Sequence, residues 1–343
     1  MNRSKKVLLV LETKNDIISH FKKNLEYMGY EVTTFPEYNF KPYQLTNIDK
    51  VINIFSKYFK KTNTSLLKKK ENHRKNYQIK QEQNIFSGTL YDFTIVFRPD
   101  LLELSFLEKL KAISKKIIAY QWDGMKRYPK IMKTIHCFDF FYCFNPEDEN
   151  DKVKFITNFY FDYFKLPKVL PQFDIIYIGY YYEDRFKLLE NIGEILKNKK
   201  LNFELKSFVK EEIQVISNSA NIKLIDKIHS YSEFLKLSNE SDILLDIKHN
   251  VHSGLSFRFF EAIQMRKKII TTNDSISQYD FYNQKNIFIL RENYDISAFS
   301  EFLESDYQML QEDIIKKYSF SNWFNNLIDS DHKIPIKNPI QIN

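Results

Sequence analysis

Apolar positions in this chain come in short unbroken runs, separated by stretches whose apolar residues recur every three or four positions, and this alternation runs through the chain twice. Residues 7–11, Val-Leu-Leu-Val-Leu, have strand length and no polar face, as a strand covered on both sides requires. In 16–28, Ile17, Phe21, Leu25 and Met28 fall at helical spacing, and Gly29 stops the helix before a second strand at 30–34. A strand-helix-strand opening predicts a parallel, doubly wound sheet. Strands at 93–97, 116–120 and 138–144 extend it, with a helix at 101–112.

Two prolines in 165–173 resist regular structure, and a new alternation begins beyond them. It predicts strands at 174–178, 203–208, 243–247, 268–272 and 287–290, and helices at 183–198, 232–238, 255–265, 296–302 and 307–317. The expected organisation is two α/β units, 1–165 and 174–325, and a tail, 326–343, that crosses back to the first unit or frays.

An insertion, 44–86, separates the second and third strands. Its residues 57–80 hold nine Lys or Arg against one acid, Glu71. Val51, Ile52, Ile54, Phe55, Tyr58 and Phe59 lie ahead at helix-compatible spacing, which predicts an amphipathic helix with a basic continuation. Three readings stay open: a solvated face, a dock on an anionic membrane surface, or a nucleic-acid patch. Each basic residue near an anionic leaflet contributes about 1 kcal/mol, so several suffice for reversible attachment.

Charge and cysteine usage narrow the setting. Lys and Arg exceed Asp and Glu by 51 to 44 over 343 residues, a balance too mild for a binder that works by charge alone. Cys137 and Cys143 fit neither a metal knuckle nor a disulfide framework, so buried free thiols in a reduced, cytoplasmic setting are expected. The run 7–11 is too short for a signal-peptide core, and no stretch approaches the roughly 18–20 apolar residues that span a bilayer. Any membrane contact is then peripheral, at the inner face. A Walker loop, G-x-G-x-x-G and G-x-S-x-G are all missing from the sequence, which weakens kinase, dehydrogenase and hydrolase readings.

The strongest chemical signal is Ser253-Gly254-Leu255-Ser256-Phe257-Arg258-Phe259-Phe260-Glu261-Ala262, placed between the apolar strand 243–247 and the strand Lys268-Ile269-Ile270-Thr271-Thr272-Asn273. Its helix opens at a strand's carboxyl end, where helix-start N–H groups and the dipole favour phosphate. Arg258 and Glu261, three apart, share a helical face. The guanidinium would meet a diphosphate while the carboxylate accepts ribose hydroxyls; the plainer alternative is that the two pair with each other.

The run Gly-Leu-x-x-Arg-x-x-Glu-Ala followed by Lys-Ile-Ile-Thr-Thr-Asn resembles the nucleotide-sugar motif of GT-B glycosyltransferases, especially the CgeB-like group and related capsule and lipopolysaccharide enzymes. The resemblance implies a GT-B fold, two Rossmann-like domains with parallel sheets facing across a cleft. It implies Glu261 as ribose ligand and Arg258 as phosphate contact, with a nucleotide-sugar donor as substrate and no metal or other cofactor. Met265-Arg266-Lys267 departs from it, standing where a glycine is common. A second matching element, 175–185, puts Gly179 where a strand turns and Arg185 at the following helix start. Relatives use that loop to approach donor phosphates by backbone; a turn glycine and a solvated charge are the alternative.

Tyr120-Gln121-Trp122-Asp123-Gly124-Met125-Lys126-Arg127 follows a strand of the first unit and should line the cleft. Asp123 there is placed to deprotonate an acceptor hydroxyl, against the alternatives of capping the next turn or holding Arg127. Glu12 and His20 are further base candidates. His249 and His252 lie in a loop without an acidic partner, which favours acceptor or phosphate contact over metal. Asp329-Ser330-Asp331 follows no strand and is rejected as a metal motif. Together these readings give a transferase carrying sugar from a nucleotide donor to a bacterial surface glycan, free or lipid-linked, with no nucleic-acid partner. The alternatives are a nucleic-acid-binding protein using 57–80 and a catalytically silent GT-B partner subunit.

Overall fold

The apolar runs of the first half form one parallel sheet. Its elements are β1 (Lys6–Val10), α1 (Ile17–Tyr27), β2 (Glu31–Phe35), α2 (Thr64–Ile85), β3 (Phe93–Phe97), α3 (Leu104–Ala112), β4 (Ile117–Gln121), β5 (Phe140–Cys143) and β6 (Lys154–Phe155). The computed structural model describes residues 3–11, 16–36, 44–49, 64–209, 219–227, 229–249 and 253–342. The strand order is β2-β1-β3-β4-β5-β6, and β3 and β4 are buried along their whole length, as their mostly apolar sequences require, with Thr94 and Gln121 the buried polar exceptions.

The second half builds a second parallel sheet from β7 (Phe173–Tyr180), α4 (Glu183–Asn198), β8 (Phe203–Phe208), β9 (Ile222–Ile225), α5 (Tyr231–Asn239), β10 (Ser241–Asp246), α6 (Phe257–Met265), β11 (Lys268–Thr271) and β12 (Ile287–Ile289). Its order is β12-β11-β10-β7-β8-β9. From β7 the chain winds outward through β8 and β9, then returns to lay β10 on the other side of β7. The β7/β10 boundary is therefore the topological switch point, where open α/β sheets leave a crevice at the strand carboxyl ends.

Three helices follow: α7 (Ile296–Glu304), α8 (Glu312–Lys317) and α9 (Phe320–Leu327). The helix expected from 307 starts at Glu312 instead, because Asn286 holds Gln308 in both directions: Asn286 Nδ2 donates to the Gln308 carbonyl at 2.7 Å, and Gln308 N–H donates to Asn286 Oδ1 at 2.7 Å. Phe320, Trp323, Phe324 and Leu327 of α9 pack into the core of the first sheet with Phe21, Phe97, Tyr120 and Phe159. The return crossing thus begins before the polar tail, inside the range expected to close the second unit. The short edge strands β6 and β9 carry too few residues to show a period. Among the insertion residues, 50–63 lie outside the described residues, and the basic continuation forms α2. No helix among the described residues is long and apolar enough to cross a membrane.

Candidate active site

The carboxyl ends of the two sheets meet. Asn145, just past β5, accepts through Oδ1 from Ser253 N–H and Ser253 Oγ, both at 3.0 Å, and from Gly254 N–H at 3.2 Å. Asn158 Nδ2 donates to the Leu255 carbonyl at 2.9 Å. A Cβ at Gly254 would lie 2.6 Å from both the Phe144 carbonyl oxygen and its ring, so only glycine lets the units approach this closely. Ser253 and Gly254, expected to offer amides to phosphate, spend them here on Asn145 at the contact between the units.

At the switch point, Arg258 leaves the first turn of α6 and donates to Asp246 Oδ1 at 2.9 Å and to the Ile178 carbonyl at 2.7 Å, tying β10 to β7. Ser256 Oγ, at the start of α6, also donates to Asp246 Oδ1, and Thr271 Oγ1 reaches Asp246 Oδ2 at 3.2 Å. The pairing of Arg258 with Glu261 does not form; the guanidinium is instead a nearly buried tie between strands. Glu261, one turn deeper, is fully buried. Its Oε1 accepts from Tyr231 Oη at 2.7 Å, and its Oε2 has no hydrogen-bond partner among the described residues. Burial pushes its pKa up to about 7, against the pull of the Tyr231 hydroxyl and the Arg258 charge.

Gly179, expected where the strand turns, is half-exposed and still inside β7, opposite Ser207 of β8. A Cβ there would fall on the Tyr177 hydroxyl, so the glycine makes room for that buried ring. Arg185, in the first turn of α4, stacks over Tyr182 with its Cζ 5.1 Å from the ring centroid. Lys248 and His249 extend from the end of β10, and Lys248 Nζ stands 3.5 Å from Asp274.

The first unit brings its own charges. Arg98, in left-handed backbone just past β3, binds Asp100 through two bonds of 2.8 Å, donates to Asp123 Oδ2 at 2.6 Å and stacks over Tyr128. Asp123 therefore holds Arg98 rather than Arg127, with no hydrogen bond to its other oxygen among the described residues and the side chain a quarter exposed. Burial lowers the His249 pKa, and Arg185 and Arg127 lower it further while Asp184 and Asp123 oppose them. Charges from both units thus act on one imidazole. Glu12 and His252 lie outside the described residues. His20 is buried, bonded to Ser232 and Tyr163, and 3.5 Å from the Asp16 carboxylate. No group of three metal-ligating side chains among the described residues is placed to hold an ion.

Sequence reasoning did not find Asp246, Asn145, Arg98 or Tyr231. Asp246 had a signal, the one acid in the otherwise apolar run 243–247; the others had none.

No protein-family model matches the chain, and no curated protein matches it in sequence. Solved structures do match in shape. An alpha-glucosyltransferase in complex with UDP and a 13-mer DNA containing a central A:G mismatch superposes with a TM-score of 0.56 at 11% identity, over 95% of this chain and 99% of that one. An alpha-glucosyltransferase in complex with UDP and a 13-mer DNA containing an HMU base gives 0.50 at 12% identity, again over 95% and 99%. With its two six-stranded parallel sheets, the chain has the GT-B fold of two Rossmann-like domains.

Proposed function

We propose that this protein is a glycosyltransferase that moves a sugar from a nucleotide-sugar donor to an acceptor hydroxyl. The observation that carries the reading is Glu261: a carboxylate without solvent exposure, one oxygen unpartnered, one turn into the helix that opens at the carboxyl end of β10. Such a group is costly to bury unless a ligand uses it, and a ribose hydroxyl is a fitting donor. Gly179 and Arg185 then face the diphosphate with Lys248, while Arg258 acts through Asp246 by fixing the two central strands. The acceptor oxygen attacks the anomeric carbon, its bond to the diphosphate breaks, and the acceptor proton passes to the Asp123 oxygen not bonded to Arg98. Arg185, Lys248 and, from across the cleft, Arg127 take up the charge of the leaving diphosphate, in place of a metal.

The acceptor we propose is a bacterial surface glycan, free or lipid-linked, reached at the cytoplasmic face of the membrane with the exposed Lys68 and Lys80 of α2 toward anionic lipid. The second reading takes nucleic acid as acceptor. The DNA held in the structurally similar alpha-glucosyltransferase favours it and weighs against excluding nucleic acid as a partner.

Thermal unfolding with UDP, GDP and CMP and their sugar derivatives tests the first step. One of them at a hundredfold its Kd should stabilise the protein by about 2.7 kcal/mol, and sugar transfer should persist in a chelator. Indifference to every nucleotide would sink the reading; loss of transfer in chelator would sink its metal-free form. Transfer to duplex DNA, with binding that falls steeply as salt rises, would choose the second acceptor.

A further inference from the structure

We propose that Tyr231 is a gate on the nucleotide site: its hydroxyl occupies on Glu261 the place of a ribose hydroxyl, and Asp16 of the first unit holds the gate shut. The inference rests on the reading of Glu261 as ribose ligand and adds what controls access to it.

Glu261 is reached by no solvent, and among the described residues the one polar side chain bonded to it is that of Tyr231, at 2.7 Å. A ribose brings two adjacent hydroxyls: one can meet the unpartnered Oε2, and the other then competes with the Tyr231 phenol, an equivalent single O–H donor, for Oε1. A nucleotide entering this site must therefore displace Tyr231.

Tyr231 is held from its backbone as well. It is the first residue of α5, whose cap is Ser230: Ser230 Oγ accepts from Glu233 N–H at 3.1 Å, and Glu233 Oε2 accepts from Ser230 N–H at 2.8 Å. That capping box leaves the N–H groups of Tyr231 and Ser232 unanswered. Asp16 answers them from the other unit. Its Oδ1 accepts from Tyr231 N–H at 2.5 Å, and its Oδ2 accepts from Ser232 Oγ at 2.6 Å and, more weakly, from Ser232 N–H at 3.4 Å. A carboxylate at this end also meets the positive pole of the α5 dipole. His20 Nε2, 2.9 Å from Ser232 Oγ, reinforces the contact. The Tyr231 ring packs against His20 at 5.0 Å and Phe161 at 5.6 Å between centroids, so it cannot swing away while Asp16 keeps α5 against the first unit. Opening of the units and exposure of Glu261 are then one event.

The test is calorimetric titration of UDP and GDP, with their dideoxy counterparts, into the full-length wild type and the variants Tyr231→Phe, Asp16→Asn and Glu261→Gln. Removing the competing hydroxyl in Tyr231→Phe should tighten the ribonucleotide by about tenfold, the worth of one hydrogen bond to a charged group. The dideoxy form, which lacks the competing hydroxyls, should bind wild type and Tyr231→Phe alike. Asp16→Asn, which leaves Tyr231 in place but weakens its anchor, should tighten binding by a smaller factor and so serves if Tyr231→Phe folds poorly. If Glu261→Gln loses the ribonucleotide but neither Tyr231→Phe nor Asp16→Asn binds it more tightly, the gate is overturned and the site stands. If Glu261→Gln binds as wild type does, or no nucleotide binds any form, both fall.

Discussion

Arg258 and Glu261 share one helical face yet belong to different networks: the guanidinium joins two strands, and the carboxyl sits in an apolar pocket with one donor. Glu261 carries the clearest consequence for stability. Desolvation raises its pKa to about 7 in the folded protein, while the unfolded chain keeps the ordinary value of 4.5. Between those values the folded state retains a proton that the unfolded state has released, so stability falls as pH rises through that window and levels off above it. A shift of this size corresponds to about 3 kcal/mol. Urea melts of wild type and Glu261→Gln should therefore diverge: the stability difference between them should move by about that amount in favour of the glutamine between pH 4.5 and 7.5. A constant difference would mean that the carboxyl is charged and solvated in the folded state. The two cleft glycines show the same local logic, since Gly254 allows the Phe144 backbone close and Gly179 admits the Tyr177 ring.

At the scale of the element, α6 is specified differently at its two ends. The start is fixed by the Ser256 hydroxyl and Arg258 converging on Asp246, so strand and helix are tied where the chain turns. Its exit uses Arg266 in left-handed backbone, φ 57°, ψ 46°. Met265-Arg266-Lys267 thus keeps the conformation for which a glycine would be favoured, with a residue that has a Cβ to accommodate. Arg266 is exposed, so its side chain gives up little on removal. Arg266→Gly should raise unfolding free energy by about 0.5–1 kcal/mol in urea melts, with nucleotide binding unchanged. Destabilisation would indicate that the arginine head makes a contact worth more than the backbone cost.

For the whole molecule, the decisive feature is that the second half does not stand apart from the first. After α8 the chain runs beside Tyr160, with Tyr160 N–H donating to the Tyr318 carbonyl at 3.1 Å and Phe320 N–H to the Tyr160 carbonyl at 2.8 Å, and then inserts α9 into the first core. Trp323 is its largest wholly buried side chain, with Phe159 at 4.4 Å and Tyr120 at 5.0 Å between centroids. Trp323→Ala should cost about 3–5 kcal/mol by urea unfolding, the range for emptying a packed aromatic site. A cost below 1 kcal/mol would show that α9 is docked only loosely. Because this helix belongs to the first core while its connection starts in the second unit, the hinge for any opening has to include the segment around Tyr318.

The two doubly wound units, the strands of both sheets apart from short β6 and β9, and the Gly29 turn were legible in the sequence, because burial on both faces of a parallel sheet demands apolar runs and helices demand a period near 3.6. So was the position of Glu261 at a helix that opens beyond a strand. Partnership was not legible. Asp246 lies 12 residues from Arg258, Tyr231 lies 30 from Glu261, Asn145 lies 108 from Ser253 and Asp16 lies 215 from Tyr231. Periodicity is a local property of the chain, whereas which carboxylate meets which donor depends on how the two sheets approach, and that only the folded arrangement decides.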